Sequence, residues 1–254
     1  MRGPEIEAIT SVVQSGRAVS LESLISKFVP PDEGDQPRKT DLLREALNFL
    51  RTIEIVQQKT DAVEGVTLHI VDDDGSEPFS LRLLRRLQSF DDDRRAFRLI
   101  TDLVAGKNLL FASRNNIVRD LEVAYSGSYS WNVEKLQTWM HLADYTGLVR
   151  SIKSDQGDIM ACPQPALLHK LLAIYRSSKG VTDKVPIGDW LSFVHRTYFS
   201  CFTSSNDVHV GLSRSLKAMS TMGQLAFDML SDASSAVRLE EQRVAYLIIP
   251  SQVK

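Results

Sequence analysis

One order of hydrophobic periods runs three times along this 254-residue chain, and a sequence that repeats a supersecondary pattern has few ways to fold other than as repeated modules. In the first copy, Ile6, Ile9, Val12 and Val13 have helical spacing, Gly16 closes the segment, and Ala18–Val19 is short and β-like. Ser20 is placed to cap a second helix carrying Leu21, Leu24, Ile25 and Phe28, which must stop near Val29 because Pro30 and Pro31 follow. After the loop PDEGDQP, Thr40 is the expected cap of a third helix with Leu42, Leu43, Ala46, Leu47 and Leu50. The period then changes in IEIVQQKTDAVEGVTLHIV, which predicts a β-hairpin.

The second copy has Phe97, Ile100, Leu103 and Val104 on a first helix, Gly106 as its stop, and a short strand at Leu109–Phe111. Ser113 caps a helix with Ile117, Val118 and Leu121, the loop SGSYS intervenes, and Val133, Leu136, Met140 and Ala143 mark a third helix that ends at Gly147. LVRSI and DIMAC flank KSDQG, a sequence with the Asp and Gly that hairpin turns prefer. The third copy runs from Leu167, Leu168, Leu171 and Ile174 or Tyr175 through a short strand at Val185 to a helix with Ile187, Trp190, Leu191, Val194 and Tyr198. A helix with Leu212, Leu216 and Met219 follows, and Leu225, Phe227 and Met229 then alternate ahead of the SDASS loop and RVAYLIIP, a third hairpin.

Helix, short strand, helix, loop, helix, hairpin is the order of the winged helix, a helix-turn-helix variant whose closing hairpin is the wing, and the chain resembles that superfamily three times over. The resemblance implies a mainly α fold with small β-hairpins (α+β), organised as winged-helix-like units at 1–75, 92–162 and 163–254. The segment SLRLLRRLQSFDDDRR, with Leu81, Leu84 and Leu87 on one side, supplies a linker helix over 76–91. A helical bundle with β insertions is the other fold of this period content. Trp139, Trp190 and Phe199 are available to pack units together or against a second chain.

Composition sets the limits on function. A net charge of −2 excludes a polycation held on nucleic acid by bulk charge. The charge is nonetheless polarised: residues 1–75 hold 8 basic and 14 acidic side chains, 76–162 hold 12 and 11, and 163–254 hold 10 and 7, for nets of −6, +1 and +3. Two cysteines, Cys162 and Cys201, are too few for a zinc cage or a disulfide framework, and no cofactor is expected. The absence of a long apolar run and of a secretion signal predicts a cytoplasmic protein away from membranes.

Catalytic patterns are not apparent in the sequence. There is no phosphate loop, nucleophile elbow or H-E-x-x-H helix, and His69, His141, His169, His195 and His209 are scattered one per element, as surface or interfacial residues. His195 and Cys201, six residues apart, are not expected to share a helix face. The triplets Asp72–Asp74 and Asp91–Asp93 lack the alternation of a calcium loop and fit solvated loops.

The resemblance directs attention to the third helix of each unit, which in a winged helix enters the major groove. Carried onto this sequence, the nucleic-acid-binding candidates are Arg38, Lys39, Thr40 and Arg44 in the first unit and Tyr129, Trp131 and Lys135 in the second. Ser213, Arg214 and Lys217 follow in the third. Against strong DNA binding, Asp41 and Glu45 lie among the first set, and the KSDQG and SDASS tips hold one Lys and no Arg. The implied function is a non-enzymatic double-stranded DNA-binding protein of a prokaryotic cell, a regulator or an accessory subunit of a DNA-processing or defence system. The alternative is a protein-protein scaffold subunit of a multi-subunit nucleic-acid machine with little direct DNA contact, with protein partners or self-association. An unrecognised enzyme ranks third.

Overall fold

Apolar residues at helical spacing open the chain, and the computed structural model buries them. It describes residues 3–16, 19–29, 40–61, 65–71, 77–91, 95–127, 130–152, 158–229 and 236–250. The expectations for Arg38, Lys39, Tyr129, the KSDQG and SDASS tips, Asp72–Asp74, Asp92 and Asp93 lie outside the described residues. The backbone divides into two compact units, Met1–Arg95 and Ala96–Lys254.

In the first unit, α1 (Gly3–Ser15) buries Ile6, Ile9 and Val13. After β1 (Val19–Ser20), the Ser20 hydroxyl accepts the Ser23 N–H at 3.1 Å and opens α2 (Leu21–Phe28), as the sequence implied. The next helix, α3 (Asp41–Thr52), buries Leu43, Ala46, Leu47 and Leu50. Thr40 precedes it in αR geometry and makes no side-chain cap bond, so the expected hydroxyl cap does not form. β2 (Val56–Asp61) and β3 (Gly65–Ile70) pair from Val56↔Ile70 to Asp61↔Gly65, and β1 joins the far edge of β3 through Val19↔Leu68, giving the order β1-β3-β2.

The expected linker is α4 (Phe79–Ser89), and it falls within the first compact unit. Leu81, Leu83 and Leu84 are all fully buried. At 100° per residue Leu83 lies roughly 200° round the axis from Leu81, so the helix is enclosed on more than one side rather than exposing a polar back. Arg86 reaches Glu54 at 3.7 Å.

The second unit holds two further passes of the same order. α5 (Ala96–Gly106), β4 (Phe111–Ala112), α6 (Arg114–Ala124), α7 (Val133–Tyr145), β5 (Arg150–Ser151) and β6 (Ile159–Met160) form a sheet ordered β4-β6-β5. Then come α8 (Pro165–Lys179), β7 (Lys184–Pro186), α9 (Ile187–Thr197), α10 (Val210–Thr221), β8 (Ala226–Asp228), β9 (Val237–Leu239), β10 (Gln242–Val244) and β11 (Tyr246–Ile248), with the sheet order β7-β11-β8. In each of the three-stranded sheets the short first strand lies beside the last, and the last beside the middle one.

Two features depart from expectation. RVAYLIIP is not one strand: it breaks at Ala245, its first part pairing with β9 as a separate hairpin and its second pairing with β8. The boundary placed at 162 falls inside a compact unit, because the second and third passes share a core. Trp139, Trp190 and Phe199 are 2%, 0% and 1% exposed, so they are spent inside this unit and do not face a second chain. The fold is thus α+β, helices with small antiparallel sheets.

Candidate nucleic-acid interface

α3 offers Arg44 on its exposed side, flanked by exposed Asp41 and Glu45. Thr40 is half-buried, and its carbonyl accepts the Arg44 N–H at 3.0 Å. Leu42 is 78% exposed. This helix surface is electrically balanced, which leaves little net attraction for a phosphate backbone.

α7 starts from Asn132, whose Oδ1 accepts the Lys135 N–H at 2.8 Å. Trp131, just before that cap, is 6% exposed and packs near Tyr125, ring centroids 6.2 Å apart. It stands at N′ and the buried Leu136 at N4, the two positions that a hydrophobic staple joins. Trp131 therefore serves the core and is not available to stack on or contact bases, contrary to its sequence assignment. Lys135 is exposed, but its Nζ folds back to donate to the Ser130 carbonyl at 2.7 Å.

α10 differs most from the groove-entering helix the sequence suggested. Ser213 is 0% exposed, and its hydroxyl has no hydrogen-bond partner among the described residues. It sits one turn from the helix start on the inward face, so it too is corrected from interface to core. Arg214 is exposed and holds Glu240 Oε1 at 3.4 Å, and Lys217 reaches Glu240 Oε2 at 2.5 Å. The Lys217 hydrogen bond, above all, lowers the Glu240 carboxyl below its ordinary range.

The first turn of α10 is covered by the second pass of the pattern. The Val210 N–H donates to Asn108 Oδ1 at 2.7 Å. His209 caps the helix, its Nδ1 accepting the Gly211 N–H at 3.2 Å while its Nε2 lies 3.0 Å from the Leu109 carbonyl. An Nδ1 that accepts carries no proton, so Nε2 bears it and donates to Leu109. Burial holds this imidazole below its usual pKa, keeping it neutral. Ser215 donates to the Pro163 carbonyl at 2.6 Å, and a Cβ at Gly211 would stand 1.7 Å from the Ala161 oxygen. The closeness of helix and strand end is possible only because residue 211 is glycine.

The loop before α10 is held in the same way. Ser204 donates to the Gly106 carbonyl through both its N–H and its hydroxyl, at 3.1 and 3.0 Å. The Ser200 hydroxyl donates to Asp102, which also faces Arg98 at 3.6 Å. A cavity of about 30 Å³, lined by Thr101, Trp139, Phe199, His209 and Leu212 among others, lies at this junction. Trp139 donates its indole N–H to Thr101 at 3.1 Å beside it.

Asp102, His195 and Ser200 converge here, but their hydrogen bonds are not those of a nucleophile and its base. Ser200 gives its proton to the carboxylate, and the His195 Nδ1 is occupied by the Cys201 N–H at 3.2 Å. His195 and Cys201 are thus brought together, which helix spacing did not foresee because Cys201 lies beyond the end of α9. The Cys201 thiol is 0% exposed and burial raises its pKa well above the ordinary value, so it is not an available thiolate. Among the described residues no group of three or more His, Cys, Asp or Glu is placed to hold a metal ion, and no helix is long and apolar enough to cross a membrane.

Sequence reasoning missed Asn108, Asp102, Ser200, His209, Gly211 and Glu240. Only Asn108 carried a signal: after Gly106-Lys107, an Asn at φ 54° is a common helix terminator, and its side chain here caps another helix.

No family model matches the sequence, and no curated protein matches it. Among solved structures, a chain of an Nse1-Nse3-Nse4 complex is similar at 10% identity and a TM-score of 0.23, over 91% of this chain and 95% of that one, an overlap too loose to bear on the fold.

Proposed function

We propose that this chain is a non-enzymatic scaffold subunit, built from three winged-helix modules in series, that docks protein partners within a multi-subunit nucleic-acid machine. The module assignment is supported by the strand order common to the three sheets, in which the short strand after the first helix pairs with the last strand of the closing hairpin. The scaffold reading rests on one observation: the first turn of α10, the end a helix-turn-helix uses on base edges, is bonded to Asn108 and Leu109 and pressed against Ala161. A helix whose reading end is already filled cannot enter a major groove without breaking those bonds. In the other two modules the corresponding helix surfaces supply a neutral mixture of charges or a lysine turned onto its own chain. The competing function is sequence-specific binding of double-stranded DNA.

Two measurements on the full chain separate these functions. Selection from a random duplex pool is expected to return no consensus, because each base pair read through a groove would have to contribute about 1–3 kcal/mol of discrimination. Purification of the tagged protein from its own cell, with nuclease treatment, is expected to retain a near-stoichiometric protein partner. A consensus whose binding is lost in Arg214→Ala, or the absence of any stoichiometric partner, would overturn the reading.

A further inference from the structure

Between β8 and β11 the third pass carries an additional two-stranded hairpin, β9–β10, with no counterpart among the described strands of the first two. Its inner face carries the fully buried Leu239 and Val244, with the exposed Gln242 across from Leu239. On the outer face Arg238 and Arg243 stand directly opposite each other, both exposed. Opposed side chains in an antiparallel pair have Cβ atoms about 5 Å apart, and like charges so placed repel. That separation is well inside the screening length of about 8–10 Å. Arg238 places its Nε on the Glu240 carbonyl at 2.7 Å, and neither guanidinium has a carboxylate partner among the described residues.

At the tip the hairpin meets α10. Glu240, at φ 52°, is held in left-handed geometry where its side chain takes both Arg214 and Lys217. Arg214, Lys217 and Arg238 are thus all bonded to Glu240, through its carboxylate or its carbonyl, and Arg243 stands across from Arg238, a gathering of cations that stands out in a chain of net charge −2. Opposing two guanidiniums gains the fold nothing. An external anion turns the repulsion into a clamp, since the planar fork of Arg matches phosphate oxygens two at a time.

We propose that the outer face of β9–β10, with Arg214 and Lys217 behind it, docks the phosphodiester backbone of nucleic acid without regard to sequence. A phosphate backbone is favoured over an acidic protein segment because the outward-facing pair contains no apolar or aromatic side chain. Protein interfaces draw their affinity from a desolvated apolar or aromatic centre, whereas binding to a phosphate backbone needs cations alone. The surface uses no groove and leaves the covered end of α10 in place, so it stands independently of the scaffold reading.

The test is fluorescence anisotropy of a labelled duplex of mixed sequence with the full chain, over a salt series from about 50 to 200 mM. Arg238→Gln with Arg243→Gln is expected to flatten the slope of log K against log salt by about 1.8, since each phosphate that a cation neutralises adds about 0.9 to that slope, and to do so equally for unrelated sequences. Lys170→Gln with Lys179→Gln removes the same charge from α8 and should leave the slope unchanged. Glu240→Gln keeps both arginines and frees the two α10 cations, so it should tighten binding several-fold. The double arginine variant should melt at or above the parent temperature, because a repulsion has been removed. Equal losses in the two double variants, no gain in Glu240→Gln, no salt-sensitive binding by the intact chain, or binding of polyglutamate in place of the duplex would each overturn the proposal. A consensus from the random pool would defeat the scaffold reading and leave this one to be decided by the slopes.

Discussion

Gly211→Ala probes the junction on which the functional reading depends. The added Cβ would stand 1.7 Å from the Ala161 oxygen and 2.8 Å from its carbonyl carbon, where real Cβ atoms do not approach closer than 3.0 Å. Ala161 is backbone, tied by its own N–H to the Leu110 carbonyl at 2.8 Å, so the helix must withdraw by more than an ångström. Withdrawal opens Val210 to Asn108, His209 to Leu109 and Ser215 to Pro163, three bonds of about 1 kcal/mol net each. Alanine recovers about 1 kcal/mol of helix propensity over glycine. Overpacking strain of about 1–3 kcal/mol works the other way, and the balance is a loss of about 3–5 kcal/mol. In a unit of this size that lowers Tm by roughly 6–20 °C. Tryptophan fluorescence is a clean reporter, because Trp131, Trp139 and Trp190 all belong to Ala96–Lys254 and the first unit contains none. Gly106→Ala is the control: its Cβ meets only the Ser204 hydroxyl, at 3.2 Å, and should cost under about 1 kcal/mol. A Gly211→Ala protein that melts with the parent, or above it, would refute the close approach and the covered helix end together.

Three further outcomes follow from the same junction. His209 and His195 both have pKa values lowered chiefly by burial, so the unfolded chain takes up protons before the folded one as pH drops below 6.5. Stability of the second unit should be full above that pH and decline below it, and His209→Asn, which keeps a capping acceptor, should weaken the dependence; a flat urea midpoint from pH 7 to 5 would contradict this. A thiol reagent should modify Cys162 slowly at most and Cys201 only after denaturant is added, since Cys201 is fully buried and Cys162 is half-buried against Ser215; two fast thiols in the native protein would be incompatible with the structure. Asp102→Ala and Ser200→Ala should each destabilise by about 1–2 kcal/mol and couple by about 1 kcal/mol in a double-mutant cycle read by urea unfolding, and simple additivity would deny the bond between them.

The element order, the first two hairpins and most of the helix starts were legible in the chain because they depend on near neighbours. Leu43, Ala46, Leu47 and Leu50 repeat at helical spacing, and Ser20 and Ser113 cap helices through bonds three residues long. Such signals lie within one window of sequence. The β9–β10 hairpin was missed because RVAYLIIP is continuously β-prone, and only pairing decides that Val244 and Tyr246 belong to different strands. Leu83 gave no warning that α4 would be enclosed on more than one side.

The site was less legible than the fold, for a physical reason. Ser213 and Trp131 were placed by position within a module, but whether a helix face meets solvent depends on what packs against it, and those partners are remote in sequence. Asn108 and Val210, or Asp102 and Ser200, are about a hundred residues apart, and neither member carries a local period that points to the other. Periodicity and capping chemistry alone determined that this chain forms repeated helices and small sheets. Only the tertiary structure decided that two of the three passes share one core, because burial is a property of the assembled surface and not of any residue on it.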